Sequence, residues 1–346
     1  MSPQAQSVKE LPIAVDAMGA DFGPSVVVEG AVQAARTYGI SSVIIGREDE
    51  INALLTKLGA QNDPLISVAH APDVITMDDS PSAAIRRKPN SSIRVAYELV
   101  KEGKASSVVS PGNTGAMMAA GLYVSGTLPG IARPAIASLI PKSNDLKPTV
   151  LLDSGANVDC NAGQLVQFAL MGSCYARSVL GCDAPRVGLI SNGSEKSKGN
   201  DITRSALMKL SDQKDINFIG YVEGKDLPKD VVDVVVCDGF VGNVLLKGME
   251  GCVELVFKSL KFYVAKSWRA KIGMMIAKPV FKKLFLEKFD PSAYGGAPLL
   301  GLNHIGIVCH GSSNARAIMN AIRVAKQSVD NDLVVKMNKA LNGIEL

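Results

Sequence analysis

Five short turns concentrate the residues of this chain that can do chemistry. They are Val15-Asp16-Ala17-Met18-Gly19-Ala20-Asp21, Ser110-Pro111-Gly112-Asn113-Thr114-Gly115, Asp153-Ser154-Gly155-Ala156-Asn157, Asp238-Gly239-Phe240-Val241-Gly242-Asn243 and His310-Gly311-Ser312-Ser313-Asn314. Each follows a β-branched run and precedes a helical pattern. That arrangement places loops at the carboxyl ends of strands, where open α/β sheets bind their ligands. A helix starting there aims free N–H groups and a positive dipole end at the ligand. Glycine allows close backbone approach, while Asn, Asp, Ser and Thr cap helices and offer hydrogen bonds. The chemistry this suits is the binding of an anion, or the stabilisation of one that develops during a reaction.

Within the turns, Asn113, Thr114 and Gly115 can cradle a phosphate or an oxyanion. An ordinary helix N-cap explains any one such turn equally well, but caps alone do not require so many glycines in five places. His310 is the one histidine beside a Gly-rich turn, placed to act as a general acid/base or oxyanion donor, with a structural role as the even alternative. His70 and His304 read as structural. Asp16 and Asp153 read first as loop anchors and second as groups that orient a cation. Arg86, Arg87 and Lys88 precede a helix start and can hold phosphate or an acidic partner, against the plain alternative of a solvated basic loop. Lys198, in the polar loop 192–200, can reach the same crevice.

Several chemistries lack their residues. There is no P-loop, and no G-x-G-x-x-G opens the first helix. Gly311-Ser312-Ser313-Asn314-Ala315 falls one residue short of a nucleophile elbow, and no histidine follows Ser313 as that hydrolase order requires. Three histidines and six scattered cysteines without a Cys-x-x-Cys pair give no zinc pattern, so neither metal nor cofactor is expected.

The elements that must position these turns alternate along the chain. Strands are expected at 12–15, 42–45, 65–69, 107–109, 134–140, 149–152, 187–190, 217–221, 231–236 and 305–309, with helices at 24–38, from the 42–45 strand to 58, and at 91–102, 114–124, 162–180 and 313–329. The alternation implies a mostly parallel sheet with helices on both faces, a three-layer αβα sandwich, read as one domain over 1–346. Met1–Glu10 reads as a polar frayed tail without a signal-peptide pattern, and no apolar run is long enough to span a bilayer. The 37 basic and 33 acidic residues are too evenly balanced to argue for nucleic acid.

One stretch departs from the alternation. Over 253–289 two amphipathic helices follow each other before the last strand, with nine Lys or Arg between 258 and 288 against Glu287 alone. Such a pair suits an anionic membrane surface, or packing on the body or a second subunit.

Seven blocks in series resemble the bacterial phosphate acyltransferase (PlsX) family of phospholipid synthesis. They are Val15-Asp16-Ala17-Met18-Gly19, Ile85-Arg86-Arg87-Lys88-Pro89-Asn90-Ser91-Ser92, Ser110-Pro111-Gly112-Asn113-Thr114-Gly115-Ala116, Asp153-Ser154-Gly155-Ala156-Asn157, Cys237-Asp238-Gly239-Phe240-Val241-Gly242-Asn243, Tyr294-Gly295-Gly296-Ala297-Pro298-Leu299-Leu300-Gly301 and His310-Gly311-Ser312-Ser313. Ala20 and Ser191-Asn192-Gly193 depart from the family pattern, which has Gly and Asn-Ile-Gly there; Lys198-Gly199-Asn200 keeps it.

The resemblance implies a fold similar to the isocitrate/isopropylmalate dehydrogenase type. It implies conversion of acyl-[acyl-carrier-protein] and inorganic phosphate to acyl phosphate and free carrier protein. It also implies a homodimer in the cytoplasm, peripherally associated with the inner face of the membrane. Phosphate is then the nucleophile. On that basis His310, Asn113 and Lys198 are the candidate catalytic residues. The candidate phosphate or substrate contacts are Asp16, Gly19, Arg86, Lys88, Thr114, Gly115, Asp153, Asn157, Asn200, Asp238, Asn243, Ser312 and Ser313. Three alternatives stay open: a short-chain coenzyme A-dependent phosphate acyltransferase, a decarboxylating dehydrogenase, and a non-catalytic membrane-surface scaffold.

Overall fold

A computed structural model describes residues 7–76, 78–143 and 146–341; of the tail expected over 1–10, residues 1–6 lie outside that range and Val8–Glu10 forms one 3-10 turn. The strands divide between two sheets. With elements numbered in chain order, the first sheet runs β3 (Ile66–His70), β2 (Ser42–Gly46), β1 (Ile13–Asp16), β4 (Ser107–Ser110), β12 (Ile305–Val308), β11 (Ala297–Leu300), β5 (Ala135–Ile136). Only β11 runs against the others. The second runs β6 (Ser138–Ile140), β7 (Thr149–Leu152), β10 (Val234–Val236), β8 (Arg186–Ile190), β9 (Asn217–Val222), with β6 antiparallel.

Both sheets are covered on both faces, so their strands read as apolar runs. In β1, Ile13 and Val15 join α1 (Ser25–Tyr38) and α11 (Ala315–Asp330) in one core, while Ala14 faces α4 (Ser92–Lys101) and α5 (Thr114–Ala120). In the second sheet Val150, Leu152, Val234 and Val236 pack on α6 (Ala162–Ser178), α7 (Asp201–Ser211) and α12 (Leu333–Leu341). The opposite face carries Leu151 and Val235 against Leu245 and Met249 of α8 (Gly239–Ala265). The α3 helix (Pro81–Arg87), α7, β11 and α12 were not among the expected elements.

The single strand expected over 134–140 is two strands in two sheets, with Ala137 between them. This join fixes the geometry of the molecule. Ala137 N–H donates to the Pro298 carbonyl, near the carboxyl end of β12, and Ser138 pairs with Leu151, near the carboxyl end of β7. The β5 strand runs with the parallel strands of its sheet and β6 runs against those of its own. The chain therefore leaves the carboxyl edge of one sheet and enters the carboxyl edge of the other, and the two edges face each other.

The helical pair also differs from expectation. Its first arm begins at Gly239, inside a Gly-rich turn, and runs 27 residues before α9 (Trp268–Leu284) returns. The Phe257 ring packs edge-on against Phe285 at 5.1 Å, holding the arms together. A short helix, α10 (Pro291–Tyr294), and β11 separate the pair from β12. The outward faces of both arms leave Tyr263, Trp268, Met275 and Ile276 uncovered.

Candidate functional site

Three of the five turns meet at the carboxyl edge of the first sheet. The Asp16 carboxylate accepts from the Ser110 hydroxyl at 2.7 Å and from Met18 N–H at 3.0 Å. The same hydroxyl accepts Gly112 N–H at 3.1 Å, so one buried acid ties two turns together. Burial pushes the Asp16 carboxyl up, against hydrogen bonds from Ser92, Ser110 and two backbone amides that pull it down. A side chain at Gly19 would stand 2.6 Å from the Gly112 α-carbon, which is why the turns can touch only as glycines. The third turn joins through Cys309 N–H to the Ser110 carbonyl and Asp21 N–H to the Gly311 carbonyl. Between Asp16, Ser92, Ser110 and Asn113 lies a cavity of about 10 Å³, room for one water.

Above this base sit the groups that can act on a ligand. Asn113 Oδ1 caps α5 by accepting Ala116 N–H at 3.1 Å, so the cap reading holds for it. Thr114, His310 and Ser312 are exposed, and Ser313 and Gly115 are half-buried beside them in sequence. Ser312 N–H points at His310 Nδ1 at 3.2 Å and the Ser312 hydroxyl lies 2.7 Å from the same nitrogen. A backbone N–H can only donate, so Nδ1 carries the lone pair and Nε2 carries the proton of the neutral ring.

The other two turns meet at the carboxyl edge of the second sheet. Asp153 is fully buried, and its carboxylate accepts the N–H groups of Ile136, Gly155, Ala156 and Asn157 together with Asn157 Nδ2. Asn157 Nδ2 also donates to the Pro134 carbonyl at 2.8 Å. These two side chains are engaged in holding their own loop and the inter-sheet join. Ser138 and Ser154 hydroxyls, 2.8 Å apart, stitch the same point. Gly239 N–H donates to the Asn157 carbonyl, and a side chain at Gly242 would overlap the Asp153 carbonyl oxygen, so α8 starts directly on this loop. Asp238 Oδ1 caps α8 by accepting Val241 N–H, and Asn243 stands beside Gly155. Ala156 packs against the first-sheet cluster that contains Met117 and Val308, so the loop reaches across to the facing edge.

The remaining candidates lie at the margins. Lys88 Nζ is paired with Asp79 at 2.7 Å and with the Val74 carbonyl, bracing the segment before α3. Arg86 is exposed on α3, whose first residue Pro81 packs beside Gly115. Asn200 caps α7 in a reciprocal arrangement with Thr203. Lys198 is exposed, its stem packed over Gly193. Asp21 and Ser110 also stand within the five turns, and their cross-turn bonds, which spacing in the sequence does not show, give them a part in the site. Burial raises the Cys160 thiol to about 11 and the Cys309 thiol to about 12, and lifts Cys237 well above its usual value. The thiols next to the turns are thus protonated at neutral pH and poor nucleophiles. Among the described residues no group of three or more His, Cys, Asp or Glu is placed to hold a metal ion, and no helix is long and apolar enough to cross a membrane.

A family model described as fatty acid synthesis protein matches residues 11–336. The phosphate acyltransferase of Pelotomaculum thermopropionicum is 49% identical over 334 residues, covering 96% of each chain. That of Syntrophotalea carbinolica is 50% identical over 317 residues, covering 92% of this chain and 90% of its own. Among solved structures, a phosphotransacetylase from Streptococcus pyogenes superposes with TM-score 0.61 at 21% identity, covering 93% of this chain and 96% of its own. The 4-hydroxythreonine-4-phosphate dehydrogenase of Klebsiella pneumoniae gives 0.55 at 14% identity, over 91% and 98%. The last two are likenesses of fold.

Proposed function

We propose, for a chain that belongs to the fatty acid synthesis protein family of phosphate acyltransferases, that the acyl donor is a carrier-protein thioester and that the first-sheet edge carries the reaction. The activity is transfer of an acyl group to phosphate. An oxygen of inorganic phosphate attacks the thioester carbonyl carbon, forming the new C–O bond and leaving an oxyanion on the carbonyl oxygen. Collapse reforms C=O and breaks C–S. The sulfur leaves with the bonding electrons and takes the proton that hydrogen phosphate gives up on forming the C–O bond, giving acyl phosphate and the free carrier thiol. No side-chain nucleophile is required, only alignment of the reactants and stabilisation of the oxyanion.

One observation supports this reading most directly. The starts of α5 and α11 lie on one edge, over a base closed by Asp16, Ser110 and three glycines, with Thr114, Ser312 and His310 facing outward. Asn113, Thr114, Ser312 and Ser313 receive phosphate and oxyanion. His310 Nε2–H hydrogen-bonds to the departing sulfur and stabilises its developing negative charge while keeping its own proton. Lys198 and Asn243 approach from the facing edge, and Arg86 with Lys88 presents positive charge to phosphate or to an acidic carrier protein. Asp153, Asn157, Asp238 and Asn200 contribute by fixing the loops.

The α8–α9 pair is read as the contact with an anionic membrane and with a second copy of the chain. Its uncovered Trp268, Met275 and Ile276 lie among lysines and arginines, as in interfacial helices.

Purified protein, long-chain acyl carrier protein and inorganic phosphate, with hydroxylamine as trap, should give phosphate-dependent acyl hydroxamate. Folded protein that yields none overturns the donor assignment. Equal rates with short acyl-coenzyme A favour the coenzyme A reading instead. Liposomes of anionic lipid should sediment the wild type and not the Phe281→Ala/Lys282→Glu double variant; unaltered sedimentation removes the membrane role. Sedimentation velocity at micromolar concentration should show a dimer.

A further inference from the structure

Lys198 stands in the loop between β8 and α7, at the carboxyl edge of the second sheet. It is exposed, and among the described residues its ammonium has no hydrogen-bond or ion-pair partner. A lysine in that state samples many rotamers, and ordering it on a ligand costs entropy. The chain and the stem behind this charge are nevertheless held.

The chain is held at the next residue. The Asn192 side chain accepts Gly199 N–H at 3.0 Å, closing the loop on itself. Arg204 of α7 donates to the Gly199 carbonyl at 2.6 Å, so Gly199 is gripped on both sides. Asn200 and Thr203 exchange hydrogen bonds at the start of α7 and tie that grip to the helix. Lys198 N–H itself donates to the Glu195 carbonyl at 2.9 Å.

The stem is held at Gly193, which is buried. A side chain there would stand 2.9 Å from Lys198 Cγ, 3.1 Å from its Cε and 2.8 Å from Glu195 Oε2. The φ of Gly193 lies outside the left-handed region, so the backbone itself does not call for glycine. What occupies the space over its α-carbon is the lysine stem.

We infer that Asn192 and Gly193 are positioning residues for Lys198: the first fixes the chain beside it and the second its stem, holding the ammonium in place for phosphate. The inference rests on the acyl-transfer reading, in which Lys198 reaches the ligand from the facing edge. Neither residue touches the ligand. A lysine kept near its bound rotamer loses less freedom when phosphate arrives, so the gain appears as phosphate affinity. Asn192 is exposed, and the atoms over Gly193 belong to flexible side chains. Replacing either residue therefore leaves the fold intact and releases the lysine.

The test titrates the full-length protein with inorganic phosphate by calorimetry, and measures KM for phosphate with the hydroxylamine trap. Lys198→Ala should weaken phosphate binding roughly 30-fold, as loss of a charge-assisted hydrogen bond does. Asn192→Ala and Gly193→Ala should each weaken it roughly 5-fold, in KM rather than kcat, with the unfolding midpoint unmoved. Placed in the Lys198→Ala background, neither should have any further effect, because a loop contact that served only structure would act there equally. Single variants that bind phosphate like wild type, or losses that persist without the lysine, overturn the inference. Wild-type phosphate affinity in Lys198→Ala overturns it together with the placing of Lys198 at the ligand. If wild type converts no thioester to acyl phosphate, the acyl-transfer reading fails on its own account, and the phosphate titrations alone decide the positioning.

Discussion

The two edges that face each other across the Ile136–Ser138 join are built from the same sequence grammar and do different work. On the first, the buried acid Asp16 binds the turns from below, and Thr114, His310 and Ser312 remain open to a ligand. On the second, Asp153 accepts five donors and Asn157 completes its own bonds, so these polar residues are turned inward. A Gly-rich polar turn at a strand end is therefore not itself a functional site. What separates the two cases is whether the backbone of the loop has partners of its own. The 153–157 loop must carry the inter-sheet join and the start of α8, and its side chains supply the bonds which the backbone of that path does not make with itself.

The largest effect should come from breaking the inward-facing edge. Asp153→Ala leaves four backbone N–H groups, those of Ile136 and Asn157 buried, and the buried Asn157 amide without their acceptor, and should cost about 4 kcal/mol in urea unfolding. A loss below 1 kcal/mol would mean that the carboxylate does not frame the loop.

Next is a test of the second sheet away from the crevice. Lys142, whose side chain is 2% exposed, pairs with Asp233 at 2.7 Å, and Arg186 pairs with the same carboxylate at 2.9 Å. Burial alone would raise Asp233, but the Arg186 and Lys142 hydrogen bonds prevail and hold it well below the usual carboxylate range. Its contribution to stability is therefore complete above the unfolded carboxylate value, near 4, and is lost as pH falls from there towards the folded value. Asp233→Asn should destabilise by about 3 kcal/mol at neutral pH, with a difference from wild type that shrinks below about pH 4. A difference constant between pH 7 and pH 3 would contradict the pairing. Activity per folded molecule should not change.

The outward-facing edge should respond in the opposite sense. His310→Ala should lower kcat/KM roughly 100-fold with the unfolding midpoint unmoved, because the ring is exposed and, among the described residues, bonded within its own turn. Unchanged turnover would remove the hydrogen-bond role at the departing sulfur. The smallest effect is expected from Ser312→Ala, about 5-fold in kcat/KM, since the backbone N–H still fixes the imidazole. A loss as large as that of His310→Ala would instead give the hydroxyl a direct contact with the reacting atoms.

Most of the elements were legible from residue pattern. Strand β10, a Val run, and helix α6, a long apolar stretch, declare themselves because burial dictates composition locally. The α7 helix and β11 were not legible. The first has a polar outer face and follows a capping loop, and the second contains Pro298 and reads as a turn until β12 and β5 flank it. Within the site, the cap roles of Asn113 and Asp238 could be read from spacing, but the bonds of Asp16 and Asp153 could not, because their partners lie on other strands.

The sequence by itself determined the α/β class, the five turns, the basic helical pair and, through seven blocks in series, the family. These are properties of short segments, set by periodicity, glycine and capping chemistry. Only the tertiary structure decided that residues 134–140 switch sheets, that three turns share one edge and two the other, and that α8 springs from the crevice rather than from residue 253. Strand pairing joins residues far apart in the chain. No local pattern records which parallel strand will lie beside which, nor whether an aspartate at a strand end will face a ligand or its own backbone.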